Sequence, residues 1–95
     1  MVVGAGCLVF RIHDCHSLKA KRSVVKAIVA RIRNNFNASV AEVADNDVYQ
    51  RATIGVCMVG SDRRLINTKL DKLFNFAEAL GLAEIIDTDL EIISL

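Results

Sequence analysis

The sequence predicts one α+β domain of the ferredoxin-like class over residues 1–95, with the element order β-α-β-β-α-β. Two stretches show helix-spaced apolar residues, four show the apolar pattern of strands, and turn residues separate them. A chain of 95 residues has room for one hydrophobic core. Right-handed crossovers in this order place strands one and three at the centre of a four-stranded antiparallel sheet, with both helices on one face.

Residues 2–12 predict the first strand, because they are rich in valine and lack helical spacing. Both sides of this strand are apolar, which is typical of a central strand that is covered on each face. Gly4 and Gly6 lie within it, and glycine inside a strand indicates a bulge or the close approach of another segment.

The first helix is predicted from Ser17, a good N-cap residue, through Phe36. Its apolar residues recur at helical spacing over about five turns. Asparagines at 34, 35 and 37 indicate the end of this helix, because asparagine tolerates the left-handed conformation that is common at helix C-termini.

A hairpin is predicted from residues 38–60, with strands at 39–44 and 51–59 around the turn cluster at 45–47. One face of the second hairpin strand carries large apolar residues, and the other carries Thr53, Gly55 and Cys57. Glu42 and Arg51 are expected to form a cross-strand ion pair beside the turn.

Ser61 or Asp62 is expected to cap the second helix, which Gly81 ends. Residues 82–95 predict the last strand, in which Leu90 and Ile92 alternate with acidic residues.

The sheet face away from the helices is expected to be apolar and therefore to be covered by a second copy of the chain. The high apolar content of 53% supports this expectation of a homodimer. The predicted interface residues are Cys7, Val9, Thr53, Gly55 and Cys57.

Positive charge is concentrated in residues 1–36, which contain seven lysines or arginines and one acidic residue. Residues 65–95 contain two lysines and six acidic residues. At roughly 100° per residue, four cations of the first helix share an arc of about 60° beside its apolar stripe. These candidate nucleic-acid-binding residues are Lys19, Arg22, Lys26 and Arg33.

Aligned cations can meet successive phosphates of RNA, although they can equally form a solvated face that keeps the protein soluble. No aromatic residues interleave with them, so base readout is expected to be poor. The predicted third strand has no aromatic residue, which argues against an RNA-recognition sheet.

No motif indicates catalysis, a metal or a cofactor. The four consecutive residues 13–16 are potential ligands, but structural zinc sites usually use separated pairs. Two histidines in one loop do not assemble a nucleophilic triad, and no small-molecule substrate is identified. The three cysteines lack paired spacing, and no window reaches the roughly 18–20 apolar residues of a membrane span. We therefore expect a cytoplasmic protein with reduced thiols, no membrane association and no enzymatic activity.

The segments HSLKAKR (16–22), RIRNNFNASVAEV (31–43) and QRATIGV (50–56) resemble the small bacterial YlxP-like family, domain of unknown function family 503. The resemblance covers almost the whole chain and implies a ferredoxin-like fold, a cytosolic bacterial protein and no assigned activity. Members are often encoded beside translation-initiation and ribosome-maturation genes, which is an association and not a mechanism. The chain departs from the family pattern at His13 and Cys15.

Two functions are therefore predicted. The first is a non-catalytic RNA- or ribosome-associated factor that uses the basic first helix. The alternative is a homodimeric interaction module or small-ligand regulatory module without a nucleic-acid role.

Overall fold

The computed structural model describes all residues, 1–95, and contains four strands and two helices. The elements are β1 (Val2–Arg11), α1 (Leu18–Asn35), β2 (Ser39–Ala44), β3 (Arg51–Gly60), α2 (Arg63–Ala79) and β4 (Glu84–Ser94). The predicted order β-α-β-β-α-β and the ferredoxin-like α+β class are confirmed.

The four strands form one antiparallel sheet in the order β2-β3-β1-β4. The two central strands are therefore β1 and β3, as the crossover rule predicts. β1 is paired along its whole length on both sides, with β3 and with β4.

The hydrophobic core lies between the helices and one face of the sheet. Alternate residues of the two central strands are buried there, including Leu8, Phe10, Ile54 and Val56. Gly4 and Gly6 face α2, and a Cβ at Gly4 would lie only 2.5 Å from Ile66 Cγ2. The segment predicted to approach β1 closely is therefore α2. Its side chains fit against β1 because the two glycines carry no side chain of their own.

Short polar side chains cap both helices. Ser17 Oγ accepts a hydrogen bond from the Ala20 amide at 3.1 Å, and Asp62 Oδ1 accepts one from the Arg64 amide at 2.9 Å. Of the two residues predicted for the second cap, Asp62 is therefore the one used. Gly81 follows α2 with a φ of 68°, a left-handed conformation that glycine adopts without strain.

The last strand is shorter and less regular than predicted. It begins at Glu84, and its register with β1 shifts between Val9, which faces Asp87, and Phe10, which faces Ile85. Ile86 is the extra residue at this bulge and is exposed. A bulge shifts the alternation by one position, so a single period along residues 82–95 does not describe this strand.

Candidate nucleic-acid interface and open sheet face

Three of the four predicted cations form an unpaired row on the surface of α1. Lys19, Arg22 and Lys26 are all exposed, and none has a carboxylate within 4.0 Å. They lie at helical spacings of three and four residues, so they follow one another along one face. With a rise of 1.5 Å per residue, the row spans roughly 10 Å. We call Lys19, Arg22 and Lys26 the basic row.

Arg33, the fourth predicted cation, is exposed but already bound within the protein. Its Nη2 donates a hydrogen bond to the Val40 carbonyl of β2 at 2.7 Å. The guanidinium therefore joins the C-terminal part of α1 to the edge strand of the sheet. The sequence pattern placed Arg33 on the correct face but could not reveal this contact, which depends on how the helix docks.

Lys21 lies in the same helix but is completely buried. Its Nζ is 3.0 Å from Glu42 Oε2 and donates a hydrogen bond to the Asp45 carbonyl. The sequence analysis missed this residue, although the signal was present. Lys21 precedes Val25 and Ile28 by four and seven residues, so helical geometry places it within the buried stripe.

The predicted ion pair between Glu42 and Arg51 is wrong. Glu42 faces the helices, where it pairs with Lys21, whereas Arg51 Nε lies 3.3 Å from Asp45 Oδ2. In the β2–β3 register Glu42 is opposite Ile54, and the register shifts before the turn. Ile54 lies three residues from Arg51 along β3, so Glu42 and Arg51 lie on opposite faces of the sheet and cannot pair.

The opposite edge of the sheet is acidic. Asp87, Asp89 and Glu91 of β4 pair with Val9, Cys7 and Ala5 of β1, which places them on the face away from the helices. All three carboxylates are exposed and lack a cation within 4.0 Å. The molecule therefore carries an unpaired basic row on α1 and an unpaired row of carboxylates on β4, on the opposite face of the sheet.

The five predicted interface residues lie together on the sheet face away from the helices, which we call the open face. Cys7 pairs with Gly55, Val9 pairs with Thr53, and Cys57 follows two positions along β3. Each is partly exposed, so the face is more accessible than the core side of the same strands. Their use in a dimer stays a prediction.

A shallow groove of about 690 Å³ occupies the β2 side of the open face. Small side chains line much of it, because Gly55 and Ala41 leave space beside Val43. Arg33 lines the groove at the β2 edge. The open face therefore joins an apolar groove to an acidic border on β4.

A second cleft of about 500 Å³ lies at the N-terminal end of α1. Two loops form it, residues 12–17 before α1 and residues 45–50 between β2 and β3. The Gln50 side chain donates a hydrogen bond to the Cys15 carbonyl at 3.2 Å, and the Ile12 amide donates one to the Gln50 carbonyl at 3.0 Å. The cleft is lined by Cys15, His16, Asp47, Val48, Tyr49 and Gln50.

The cysteines and histidines do not converge on a shared centre. All three cysteines are free, and no group of three or more His, Cys, Asp or Glu residues is placed to hold a metal ion. Cys15 is buried and its Sγ donates to the Ser17 carbonyl at 3.5 Å, while His13 pairs with Glu84 at 3.1 Å. Neither helix combines the length and the apolar character needed to cross a membrane.

Comparison with known families identifies the chain. The family model described as protein of unknown function (DUF503) matches residues 3–90. The chain belongs to the DUF503 family. The uncharacterized protein YlxP of Bacillus subtilis (strain 168) is a relative with 37% identity over 68 residues, which cover 72% of this chain and 74% of YlxP. The resemblance seen in the sequence is thereby confirmed.

Three solved structures are similar to this DUF503 protein in fold. A variant of SnoaB, a cofactor-independent oxygenase from Streptomyces nogalater, has 12% identity and a TM-score of 0.52, covering 98% of this chain and 92% of that one. The de novo designed protein Foldit4 has 9% identity and a TM-score of 0.54, covering 100% and 99%. A VAO-type flavoprotein from Myceliophthora thermophila has 17% identity and a TM-score of 0.53, covering 98% and 16%. At these identities the likeness concerns the fold alone.

Proposed function

We propose that this DUF503 protein is a non-catalytic cytoplasmic factor that binds the phosphate backbone of RNA, either free or in a ribosomal subunit. The contact is the basic row Lys19, Arg22 and Lys26. The observation that carries the proposal is that these three exposed cations share one helix face and have no carboxylate partner. Binding therefore requires no ion pair of the protein to be broken, and it releases counterions from the RNA.

The distribution of the remaining charge supports this orientation. The carboxylates Asp87, Asp89 and Glu91 lie on the β4 edge, which is separated from β2 by the two central strands. At about 4.8 Å between neighbouring strands, the two edges are roughly 14 Å apart. A polyanion is therefore attracted at the basic row and repelled from the sheet face that carries the β4 carboxylates. Arg33 contributes less than the row, because its guanidinium is bound to the Val40 carbonyl.

The salt dependence of binding has an expected size. Three neutralised phosphates on a single strand give a slope of about −2 in a plot of log K against log salt. Raising the salt from about 50 to about 200 mM should therefore weaken binding by roughly 20-fold. Contact with phosphates alone is largely independent of sequence, so affinity should vary little with base sequence among single-stranded RNAs of equal length.

The test compares two triple variants with the same change in net charge. Lys19→Gln, Arg22→Gln and Lys26→Gln together remove the basic row. Arg64→Gln, Lys69→Gln and Lys72→Gln remove three exposed cations of α2 and serve as the control. Fluorescence anisotropy of labelled ribosomal RNA fragments across a salt series should show loss of affinity and of salt slope in the first variant only. Equal losses in both variants, or wild-type affinity in the first, contradict the proposal.

The open face supports a second candidate function, a homodimeric interaction or small-ligand regulatory module. The supporting observation is the groove of about 690 Å³ beside the partly exposed Cys7 and Cys57. A second copy that covers this face would remove the groove and the apolar positions of β1 and β3 from water. The two functions are compatible, since a dimer presents two basic rows and gains avidity for one RNA.

A further inference from the structure

The cleft at the N-terminal end of α1 holds the single tyrosine of the chain. Tyr49 is 46% exposed and its hydroxyl takes part in no hydrogen bond within the protein. Val48 beside it is 45% exposed. An aromatic ring that is accessible in a cleft, and not packed in the core, offers a flat surface on which another ring can stack.

The two walls of the cleft are held together before any ligand arrives. The hydrogen bonds from Gln50 Nε2 to the Cys15 carbonyl and from the Ile12 amide to the Gln50 carbonyl join the two loops. The buried Lys21 adds a third tie, because it donates to the Asp45 carbonyl at the start of the second loop. A preformed cleft loses less entropy on binding than a mobile one.

The cleft and the first residue of the basic row lie at the same end of α1. His16, in its wall, directly precedes the cap residue Ser17, and Lys19 lies in the first turn of the helix. An RNA strand whose phosphates lie on the row from Lys26 to Lys19 therefore runs toward the end of the helix at which the cleft lies. Asp47 is the one carboxylate in the lining, and it disfavours a phosphate inside. A nucleic-acid base is flat and uncharged, so it can stack on the Tyr49 ring without being repelled by the Asp47 carboxylate.

We propose that the cleft binds one unstacked base of a single-stranded RNA, with Tyr49 as its stacking partner. The inference rests on the RNA-binding function proposed above and adds the substrate class to it. In a duplex the bases are stacked and paired, so a duplex can meet the basic row but cannot place a base in the cleft. Single-stranded RNA therefore binds more tightly than a duplex of the same length.

The chain provides its own probe, because it contains one tyrosine and no tryptophan. Tyrosine emission therefore comes from Tyr49 alone, and a stacked base should quench it. We expect single-stranded RNA to quench this emission in a saturable way, and the matching duplex to leave it nearly unchanged. Quenching by the duplex to the same extent, or no quenching by a single strand that binds, overturns the proposal.

Two variants of Tyr49 complete the test, with affinity measured on labelled RNA. Tyr49→Ala should weaken binding of the single strand by at least about fivefold, the lower end of the stacking effect, while the salt slope and duplex affinity stay unchanged. Tyr49→Phe keeps the ring and should bind as the wild type does. Because Tyr49 is in an exposed loop, both variants should unfold at the wild-type temperature.

The outcomes separate this proposal from the function on which it rests. If binding depends on the basic row but Tyr49→Ala binds as tightly as the wild type, the stacking proposal is overturned and the backbone contact stands. If the wild type binds no RNA at low salt, both are overturned.

Discussion

Lys21 Nζ lies 3.0 Å from Glu42 Oε2, and this pair joins the buried side of α1 to the edge strand β2. The lysine is completely buried and the Glu42 side chain is 17% exposed. Glu42 Oε2 has no hydrogen-bond partner with suitable geometry, so the ammonium is its one polar contact. A charge in this position is tolerable only while the partner is present.

Glu42→Gln should lower the free energy of unfolding by about 3 kcal/mol, because it leaves the Lys21 ammonium buried without its counter-charge. Urea unfolding followed by circular dichroism measures this loss. Glu78→Gln, an exposed change on α2 without an ion pair, is the control and should have little effect.

Replacing both partners of this pair extends the same prediction. Lys21→Met combined with Glu42→Leu should be more stable than Glu42→Gln alone, since packed apolar side chains can substitute for a buried ion pair. A double variant that is less stable than Glu42→Gln would show that packing around Lys21, and not its charge, limits stability.

Gly4→Ala should destabilise the protein by about 1–3 kcal/mol through overpacking of the core. The new Cβ would lie 2.5 Å from Ile66 Cγ2 and 2.6 Å from Leu70 Cδ1, so α2 would have to shift away from β1. Gly55→Ala is the matched control. Its Cβ would meet Val43 Cγ1 at 2.9 Å, but Val43 is 56% exposed on an edge strand and can turn aside. Equal thermal unfolding shifts in the two variants would contradict this account of Gly4.

Asp45 organises the turn between β2 and β3, so Asp45→Ala should cost about 1–2 kcal/mol. Its Oδ2 accepts a hydrogen bond from Thr53 Oγ1 at 2.7 Å and lies 3.3 Å from Arg51 Nε. Its φ of 62° is a left-handed conformation that alanine tolerates less well than aspartate. Asp45→Gly loses the same contacts but relieves the backbone, and should be the more stable of the two. The reverse order in chemical denaturation would exclude backbone strain as part of the loss.

Cys57→Arg tests the proposed dimer. A long charged side chain on the open face would enter a dry interface, so the variant should sediment as a monomer at concentrations where the wild type sediments as a dimer. Ala79→Arg adds the same charge at the exposed end of α2 and should leave the dimer intact. A monomeric wild type, or a dimeric Cys57→Arg, shows that the open face is not the interface.

The features that sequence analysis predicted depend on neighbours in the chain. The spacing around Val25 and Ile28 indicated α1, and the short polar residues Ser17 and Asp62 marked the starts of both helices. Alternation in β3 separated the residues of the core face from those of the open face. Each of these patterns repeats within a few residues, so no knowledge of tertiary contacts is needed to recognise it.

The features that sequence analysis did not predict depend on contacts between distant segments of the chain. Lys21 and Glu42 are 21 positions apart, and the loop of Tyr49 meets the loop of Cys15 across 34 positions. The sequence pattern also did not reveal the bulge at Ile86, because one inserted residue leaves the strand-like alternation intact on each side of it. Tyr49 could have been noticed as the single tyrosine in a turn, but only docking of the two loops places it at the end of the basic row.

The position of β1 also has a consequence for synthesis of the protein. β1 is an early segment, yet one of its two neighbours in the sheet is β4, which follows every other element along the chain. Pairs such as Val2 and Ser94 close a loop of almost the whole chain, and such distant pairings form slowly. While the polypeptide emerges from the ribosome, β1 can pair with β3, but its other edge has no partner strand until residues 84–94 appear. The nascent chain therefore passes through a stage with an uncovered strand edge, at which chaperones or a neighbouring nascent chain can bind.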